Sequence, residues 1–279
     1  MSGDWSARNI RDEIARVCHR DQDLQTLRRE VVGRLKKVVP ADAWCWPTAD
    51  PATLIVTGAQ TEGIPPGNSR RFFEIEYTSP DFNKFSELAH SRRPVGSLSQ
   101  ATEGDLSRSR RYTEVFGPLG IGEDLRVALR TGGACWGYLV LHRTPERPFT
   151  TAEADYVLSL AEHLAEGVRT GLFHGVLGGE VISEGPGVVV LSNDLEVVTA
   201  TETGARWLDE LETSGLSQGG LPNAVHSVVS KLRALENAAI PPGLMPRARV
   251  LSRTGRWLVV HASRLGNGPG AGQIKRLSR

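Results

Sequence analysis

Two β-rich segments joined by a Gly-Gly pair constrain the fold of this chain more than any other feature of its sequence. Residues 124–131 and 134–142 flank Gly132-Gly133, which is typical of a tight antiparallel hairpin. A long amphipathic helix is predicted directly afterwards, because residues 150–153 (Thr-Thr-Ala-Glu) form a capping box and apolar residues follow at spacings of three or four. Strands and helices in this order predict an α+β fold.

The segments before the hairpin predict helices and short strands. Apolar spacing indicates helix up to Pro40, and β-rich runs begin at Ala43. Residues 72–77 are predicted to be extended, and Ser79-Pro80-Asp81 is predicted to start a helix. After the long helix, two strand pairs and two helices predict a second, smaller α+β unit. The predicted divisions are a helical extension at 1–20, a first domain at 21–177, a second domain at 178–274 and a tail at 275–279.

Composition excludes several classes of protein. The 279 residues carry a net charge of +1, which gives no general attraction to nucleic acid or membranes. No apolar run approaches the ~18 residues that a membrane helix needs, and residues 1–20 alternate in charge and lack the apolar core of a signal sequence, so we expect no export. The three cysteines have neither metal-ligand nor disulfide spacing. We therefore expect a cytoplasmic protein with no membrane partner, no metal and no cofactor.

Short residue blocks in a set order connect the chain to a known family. In the first unit they are Asn83-Lys84-Phe85, Arg93-Pro94-Val95, Pro118-Leu119-Gly120, residues 132–137 (Gly-Gly-Ala-Cys-Trp-Gly), Phe149-Thr150 and residues 163–167 (His-Leu-Ala-Glu-Gly). This order resembles the N-terminal GAF domain of bacterial LuxR-type helix-turn-helix transcription regulators. In the second unit, blocks such as Pro186-Gly187-Val188, Trp207-Leu208 and residues 255–258 (Gly-Arg-Trp-Leu) are similar to the PAS-like segment that follows in those regulators.

The resemblance implies a GAF domain, with a central antiparallel sheet flanked by terminal helices, followed by a smaller PAS-like α+β domain. It also implies a non-enzymatic signal-sensing and dimerisation region with a small-molecule effector. In that family the helix-turn-helix follows the PAS-like strands, whereas this sequence stops after residues 275–279. DNA contact is therefore expected only through a C-terminal unit absent from this chain. A homodimer is expected through the terminal helices, because Val32 and Leu160 widen their apolar faces.

Aromatic residues concentrate in the sheet and loops of the first unit, where GAF folds hold their ligands. The two-residue period of a strand places Trp44 with Trp46 on one face, and Trp136 with Tyr138 and Val140 on another. Small-molecule sites are mostly apolar with a few convergent polar groups. Any single aromatic side chain here also fits an ordinary core position. The candidate ligand-binding residues are Trp44, Trp46, Phe73, Asn83, Phe85, Tyr112, Arg126 and Trp136.

Two cysteines leave an alternative of a different class. Cys45 and Cys135 both fall in predicted strands of the GAF sheet. Some GAF-fold reductases of free methionine sulfoxide use pocket cysteines, so a thiol enzyme using Cys45 and Cys135 is the alternative function. The simpler interpretation is that free cysteines act as small buried hydrophobic residues.

Overall fold

A five-stranded antiparallel sheet forms the centre of the first unit in the computed structural model, which describes residues 2–174, 185–211, 220–237 and 245–265. The strand order is β2-β1-β5-β4-β3. The elements of this unit are α1 (Ser2–Cys18), α2 (Leu24–Leu35), β1 (Ala43–Ala49), β2 (Val56–Glu62), α3 (Ser69–Thr78), α4 (Phe85–His90), β3 (Val95–Ser97), α5 (Leu98–Ala101), β4 (Glu123–Thr131), β5 (Ala134–Arg143) and α6 (Thr151–His174).

The predicted hairpin is β4–β5, in which Arg126 pairs with Val140 and Ala128 pairs with Tyr138. Its turn consists of Gly132 and Gly133, both with positive φ, which glycine adopts without steric cost. The α+β class and the antiparallel sheet predicted from the sequence are confirmed.

One face of the sheet packs against α1, α2 and α6. Alternate strand residues such as Trp44, Trp46 and Leu139 point to this face and join the apolar stripes of the three helices. Val32 and Leu160, which suggested a dimer surface, are both buried in this core. The helix stripes are thus covered within the chain itself.

The second unit consists of two hairpins and two helices. Its elements are β6 (Val189–Leu191), β7 (Val197–Ala200), α7 (Glu202–Glu210), α8 (Asn223–Glu236), β8 (Arg247–Leu251) and β9 (Trp257–His261). Strands β6 and β7 pair with each other, as do β8 and β9, in two separate sheets. Helix α8 packs against α3 of the first unit. Ile55 of the first unit is buried in the hydrophobic core of the second unit. The predicted boundary at residue 178 and the tail at 275–279 lie outside the described residues.

Two local predictions are wrong. Residues 72–77 are helical and belong to α3, whose buried Phe72, Phe73 and Glu76 lie on one helix face. The next helix begins at Phe85 and not at the Ser79-Pro80-Asp81 signal. Hydrogen bonds to Arg111 and Ser97 hold Asp81 and Asn83 in the loop before it. Within the described ranges, no helix is long and apolar enough to cross a bilayer.

Candidate functional site

Ionisable side chains occupy the face of the sheet that is turned away from α1, α2 and α6. On β4, Asp124 and Arg126 alternate with residues that pack against those helices. On β5, Tyr138 and His142 alternate in the same way. All four side chains are buried, so the alternation along the strands brings polar groups to a face of the sheet that solvent does not reach.

Helices α3 and α4 cover this face with aromatic rings. Phe85 of α4 stacks on Tyr138, with ring centroids 4.2 Å apart. The Arg126 guanidinium carbon lies 4.7 Å from the Phe85 centroid and 5.6 Å from that of Phe72. A cation held against aromatic faces in this way is attracted by the ring quadrupoles. The core between the sheet and these helices therefore consists of aromatic rings packed around the Arg126 guanidinium.

Five buried charged residues form a connected network, the buried ion-pair cluster: Glu76, Asp81, Arg111, Asp124 and Arg126. Arg126 Nη1 donates to Glu76 Oε2 at 3.0 Å, and Arg126 Nε donates to Asp124 Oδ2 at 3.2 Å. Arg111 Nε donates to the same Asp124 oxygen at 2.9 Å. Charge-assisted hydrogen bonds of this kind compensate the cost of burying the charges.

The loop before α4 brings Asp81 into the cluster. Asp81 Oδ2 accepts the backbone N–H of Arg111 at 2.8 Å. Asn83 has a φ of +51°, a left-handed conformation that asparagine tolerates, and its amide donates to the Ser97 carbonyl at 3.0 Å. Gly96 is required beside it, because a Cβ there would lie 2.5 Å from Asn83 Oδ1.

The cluster shifts the pKa values of the groups inside it. Burial alone would raise the pKa of Asp124, but Arg111 and Arg126 lower it to about 2. Burial lowers the pKa of His142 to about 4 despite the attraction of Asp124. At neutral pH, Asp124 is therefore charged and the His142 ring is neutral.

Several polar atoms on this face of the sheet have unused hydrogen-bonding capacity, among them Arg126 Nη2, the Tyr138 hydroxyl and the two ring nitrogens of His142. Arg126 Nη2 has no hydrogen-bond partner, although Arg126 is fully buried. The Tyr138 hydroxyl lies near the Cys135 thiol, and thiols are weak hydrogen-bond partners. Buried polar groups are nearly always paired, so an acceptor atom of a ligand beside Arg126 Nη2 would satisfy a donor that the protein leaves unpaired.

The structure brings some of the predicted ligand-binding residues together. Phe85 and Arg126 are in contact in the core between the sheet and helices α3 and α4, and the Asn83 carbonyl accepts a hydrogen bond from Arg126 at 3.4 Å. Phe73 belongs to the same apolar core but stacks on His226 of α8. Tyr112 is half-buried, with its ring against Gly122.

The three predicted tryptophans lie elsewhere. Trp44 and Trp46 share a face, as predicted, but it is the face that packs against the helices. The predicted grouping of Trp136 with Tyr138 is wrong, because a β-bulge shifts the register between Leu129 and Arg130. Trp136 therefore packs on the helix side and contacts Phe173.

The sequence interpretation missed Glu76, Arg111, Asp124, Tyr138 and His142 as site residues. A signal was present for the strand residues, because Asp124 with Arg126, and Tyr138 with His142, are spaced by even numbers. Charged residues at such spacing inside strands that are otherwise apolar predict a buried polar face. No comparable local signal identified Glu76 or Arg111.

All three cysteines lie in the part of the chain that the structure describes, where they are buried and form no disulfide. Cys45 and Cys135 lie on neighbouring strands, but Cys45 pairs with Val140, which is five residues along β5 from Cys135. That offset corresponds to roughly 16 Å, whereas a disulfide needs Cα atoms within about 7 Å. Burial raises the pKa of the Cys135 thiol, which disfavours the reactive thiolate.

A family model for the GAF domain matches residues 23–168, which is more than half of the chain. The chain therefore belongs to the GAF domain family. A search of curated protein sequences found no match to this chain.

Several solved structures are similar to the first unit. The GAF domain of a phosphoenolpyruvate-protein phosphotransferase from Coxiella burnetii is 18% identical, with 59% of this chain and 94% of that chain covered and a TM-score of 0.38. A GAF/HD domain protein from Geobacter sulfurreducens is 18% identical, with coverages of 53% and 93% and a TM-score of 0.40. The free methionine-R-sulfoxide reductase of Neisseria meningitidis is 14% identical, with coverages of 59% and 89% and a TM-score of 0.41.

Proposed function

We propose that the chain is a non-enzymatic sensory region of a LuxR-type transcription regulator that works in the cytoplasm. In this proposal a small molecule binds between the GAF sheet and helices α3 and α4. The observation that carries it is Arg126, which is fully buried among aromatic rings and keeps one nitrogen without a partner. The residue blocks described above support the link to transcription regulators and a PAS-like identity for the second unit.

Charge balance in the buried ion-pair cluster indicates what kind of ligand suits it. Three carboxylates, on Glu76, Asp81 and Asp124, face two guanidiniums, on Arg111 and Arg126. Because both guanidiniums are already neutralised, another anion would gain little there. A neutral planar molecule with a carbonyl oxygen or ring nitrogen suits the free donor on Arg126 and the aromatic rings around it.

Helix α3 is shared between this site and the second unit. Its Glu76 binds Arg126, while Glu74 accepts a hydrogen bond from Arg233 of α8 at 3.1 Å. Phe73 stacks on His226 of α8 at 6.5 Å. A ligand that binds one position of α3 better than another would shift the population of the α3–α8 arrangement, and so the output.

We also propose that the protein acts as a homodimer and that DNA contact belongs to a helix-turn-helix unit outside this sequence. The support for a dimer is the exposed apolar surface of the second unit. Val198 is 64% exposed and Val259 is 67% exposed. Large apolar residues that are exposed in this way are often found at sites of protein association.

A thermal-shift screen tests the ligand proposal. The probes are neutral nucleobases, nucleosides and aromatic amides, because binding to the folded state raises its melting temperature. We expect at least one of them to raise the melting temperature in a concentration-dependent manner. Tyr138→Phe should weaken its binding about five- to tenfold, since it removes only one hydroxyl donor.

Tyr156→Phe is the matched control, because Tyr156 donates to the Ala7 carbonyl on the opposite side of the sheet. It should leave the ligand affinity unchanged. The proposal fails if no probe shifts the melting temperature, or if both tyrosine variants weaken binding equally.

A further inference from the structure

A groove lies where the two units meet, at the β4–β5 turn end of the sheet. This groove has a volume of about 830 Å³ and is partly open to solvent. Its floor includes Ala128 of β4, and its walls include Leu54, Tyr77 and Ala89 from the first unit and Lys231 from α8. The groove is therefore shared between the units, whereas the buried ion-pair cluster belongs to the first unit alone.

Three cations line the groove, and none of them forms an ion pair within the described residues. Lys231 is only 7% exposed, and its Nζ lies 5.9 Å from the centroid of the Tyr77 ring. Arg130 uses Nη1 to bond the carbonyls of Ala89 and Ser91, at 3.3 and 2.9 Å. Arg92 is exposed at the groove wall. One acid, the exposed Glu162, is among the lining residues.

Lys231 is the unusual member of this set. Long charged side chains are rarely buried without a partner, because removing an ammonium from water is costly. Burial, and then repulsion by Lys84, lowers the pKa of Lys231. Thr53, whose Oγ1 is buried and has no hydrogen-bond partner, also lines the groove. The groove therefore presents three cations and an unpaired hydroxyl against a single exposed carboxylate, that of Glu162.

We propose that this groove binds a small organic anion, with its phosphate or carboxylate group held by Lys231 and Arg130 and its apolar part against Leu54 and Tyr77. This site goes beyond the function proposed above, because it binds an anion, whereas the site in the GAF core is proposed to bind a neutral molecule. Because Lys231 belongs to α8, a bound anion connects the two units and stabilises the packing of α8 on α3. The anion would thus select the docked arrangement of the second unit.

Titration with inorganic phosphate, phenyl phosphate and benzoate tests this site, with sodium chloride added to keep the ionic strength constant. We expect saturable binding by calorimetry, with phenyl phosphate tighter than inorganic phosphate because it also covers apolar surface. The difference in affinity between benzoate and phenyl phosphate shows whether the site prefers a carboxylate or a phosphate on a similar ring. Lys231→Met should weaken phenyl phosphate binding at least about tenfold, since a hydrogen bond to a charged group is lost.

Lys37→Met is the matched control, because Lys37 is exposed beyond the end of α2 and lies outside the groove. It should bind phenyl phosphate as the parent chain does, and Lys231→Arg should retain most of the affinity. Tyr138→Phe should also leave this binding unchanged, which separates this site from the one in the GAF core. The proposal is overturned if no anion binds above the chloride control, or if Lys231→Met and Lys37→Met bind equally.

Discussion

Arg126 lies at the centre of the buried ion-pair cluster, and its loss should be costly. Arg126→Met removes the cation between Glu76 and Asp124 but leaves both carboxylates buried. We expect the free energy of unfolding to fall by about 3–5 kcal/mol, because an uncompensated buried charge remains. Urea denaturation of the variant and the parent chain measures this change.

Arg147→Met is the control for that variant. Arg147 pairs with Asp42, but its side chain is 52% exposed. Surface pairs contribute about 1 kcal/mol or less, so this variant should lose little stability. Equal losses in the two variants would mean that the buried cluster does not stabilise the fold.

His142 predicts how stability depends on pH. Its folded pKa is about 4, below the ordinary value of 6.5, because it is buried. Between these values the unfolded chain binds more protons than the folded chain, so His142 lowers stability as the pH falls from 6.5 to 4. His142→Leu should remove up to about 3 kcal/mol of this loss, as measured by urea denaturation at a series of pH values.

Two other groups titrate in the same window and must be separated from His142. Burial also lowers the pKa of His226 to about 4, so it acts in the same direction. Burial and then Asp124 raise the pKa of Glu123 to about 7. The folded chain therefore holds this proton more tightly than the unfolded chain, and the stability that Glu123 contributes is lost as the pH rises. Only the difference between the parent chain and His142→Leu is diagnostic, and a difference that does not change between pH 7 and pH 4.5 would contradict the assignment.

The residue pattern predicted part of the site. The remaining residues could not be predicted, because contacts between distant parts of the sequence bring them together. Phe85 and Arg126 were recognisable from an aromatic cluster with a nearby cation. Glu76 meets Arg126 across 50 positions of sequence, through α3 folding over the sheet. No local spacing encodes that contact, because it depends on the path of the intervening chain.

Among the elements, the pairing of β1 with β5 depends on a glycine. A Cβ at Gly137 would lie 2.3 Å from the Pro47 carbonyl oxygen, which belongs to the backbone and cannot rotate away. Gly137→Ala should therefore lower the free energy of unfolding by about 1–3 kcal/mol. Thermal and urea unfolding measure the change.

Gly33→Ala is the matched control and should act in the opposite direction. Gly33 lies in α2, is exposed, and has no atom within 4 Å of an added Cβ. Alanine should stabilise the helix there by about 1 kcal/mol. If both alanines destabilise the chain to a similar extent, the close contact at Gly137 is not the cause.

The strands and the long helix were predictable, whereas α3 was not. Strand alternation and the capping box mark β4, β5 and α6 clearly. In α3, aromatic residues with high strand propensity hid a helical face, and burial against both the sheet and α8 decides the outcome. Tertiary packing on two sides overrides local preference in this segment.

For the whole molecule, the exposed apolar residues of the second unit predict where two copies associate. Val198 lies on β7 and Val259 on β9, and both are largely exposed. We expect Val259→Asp and Val198→Asp to shift a dimer to monomer in light scattering after size-exclusion chromatography. An aspartate in a buried apolar interface would leave an unpaired charge.

Ser159→Asp distinguishes this surface from the terminal helices. Ser159 is exposed on α6, so a charge there disrupts only a dimer formed through the helix face. Dissociation by Ser159→Asp but not by the valine variants would place the interface on the helices instead. A monomer at all concentrations would contradict the dimer.

The residue blocks predict an order of units, but they carry no information on how the units dock. Asp50 accepts the Arg249 backbone N–H at 2.7 Å and its guanidinium at 3.0 Å, linking a loop of the first unit to β8. The two residues are 199 positions apart, and neither belongs to a recognisable sequence motif. Charge complementarity between distant surface segments is visible only once both are folded.

The complete burial of Arg126 has a kinetic consequence. A molecule in solution cannot reach this guanidinium while Phe85 and α3 cover it, so the cover must open before contact is made. The observed association rate should then level off at high ligand concentration, at the rate at which the cover opens. Such a receptor would respond on the timescale of its own breathing motions, however abundant its signal becomes.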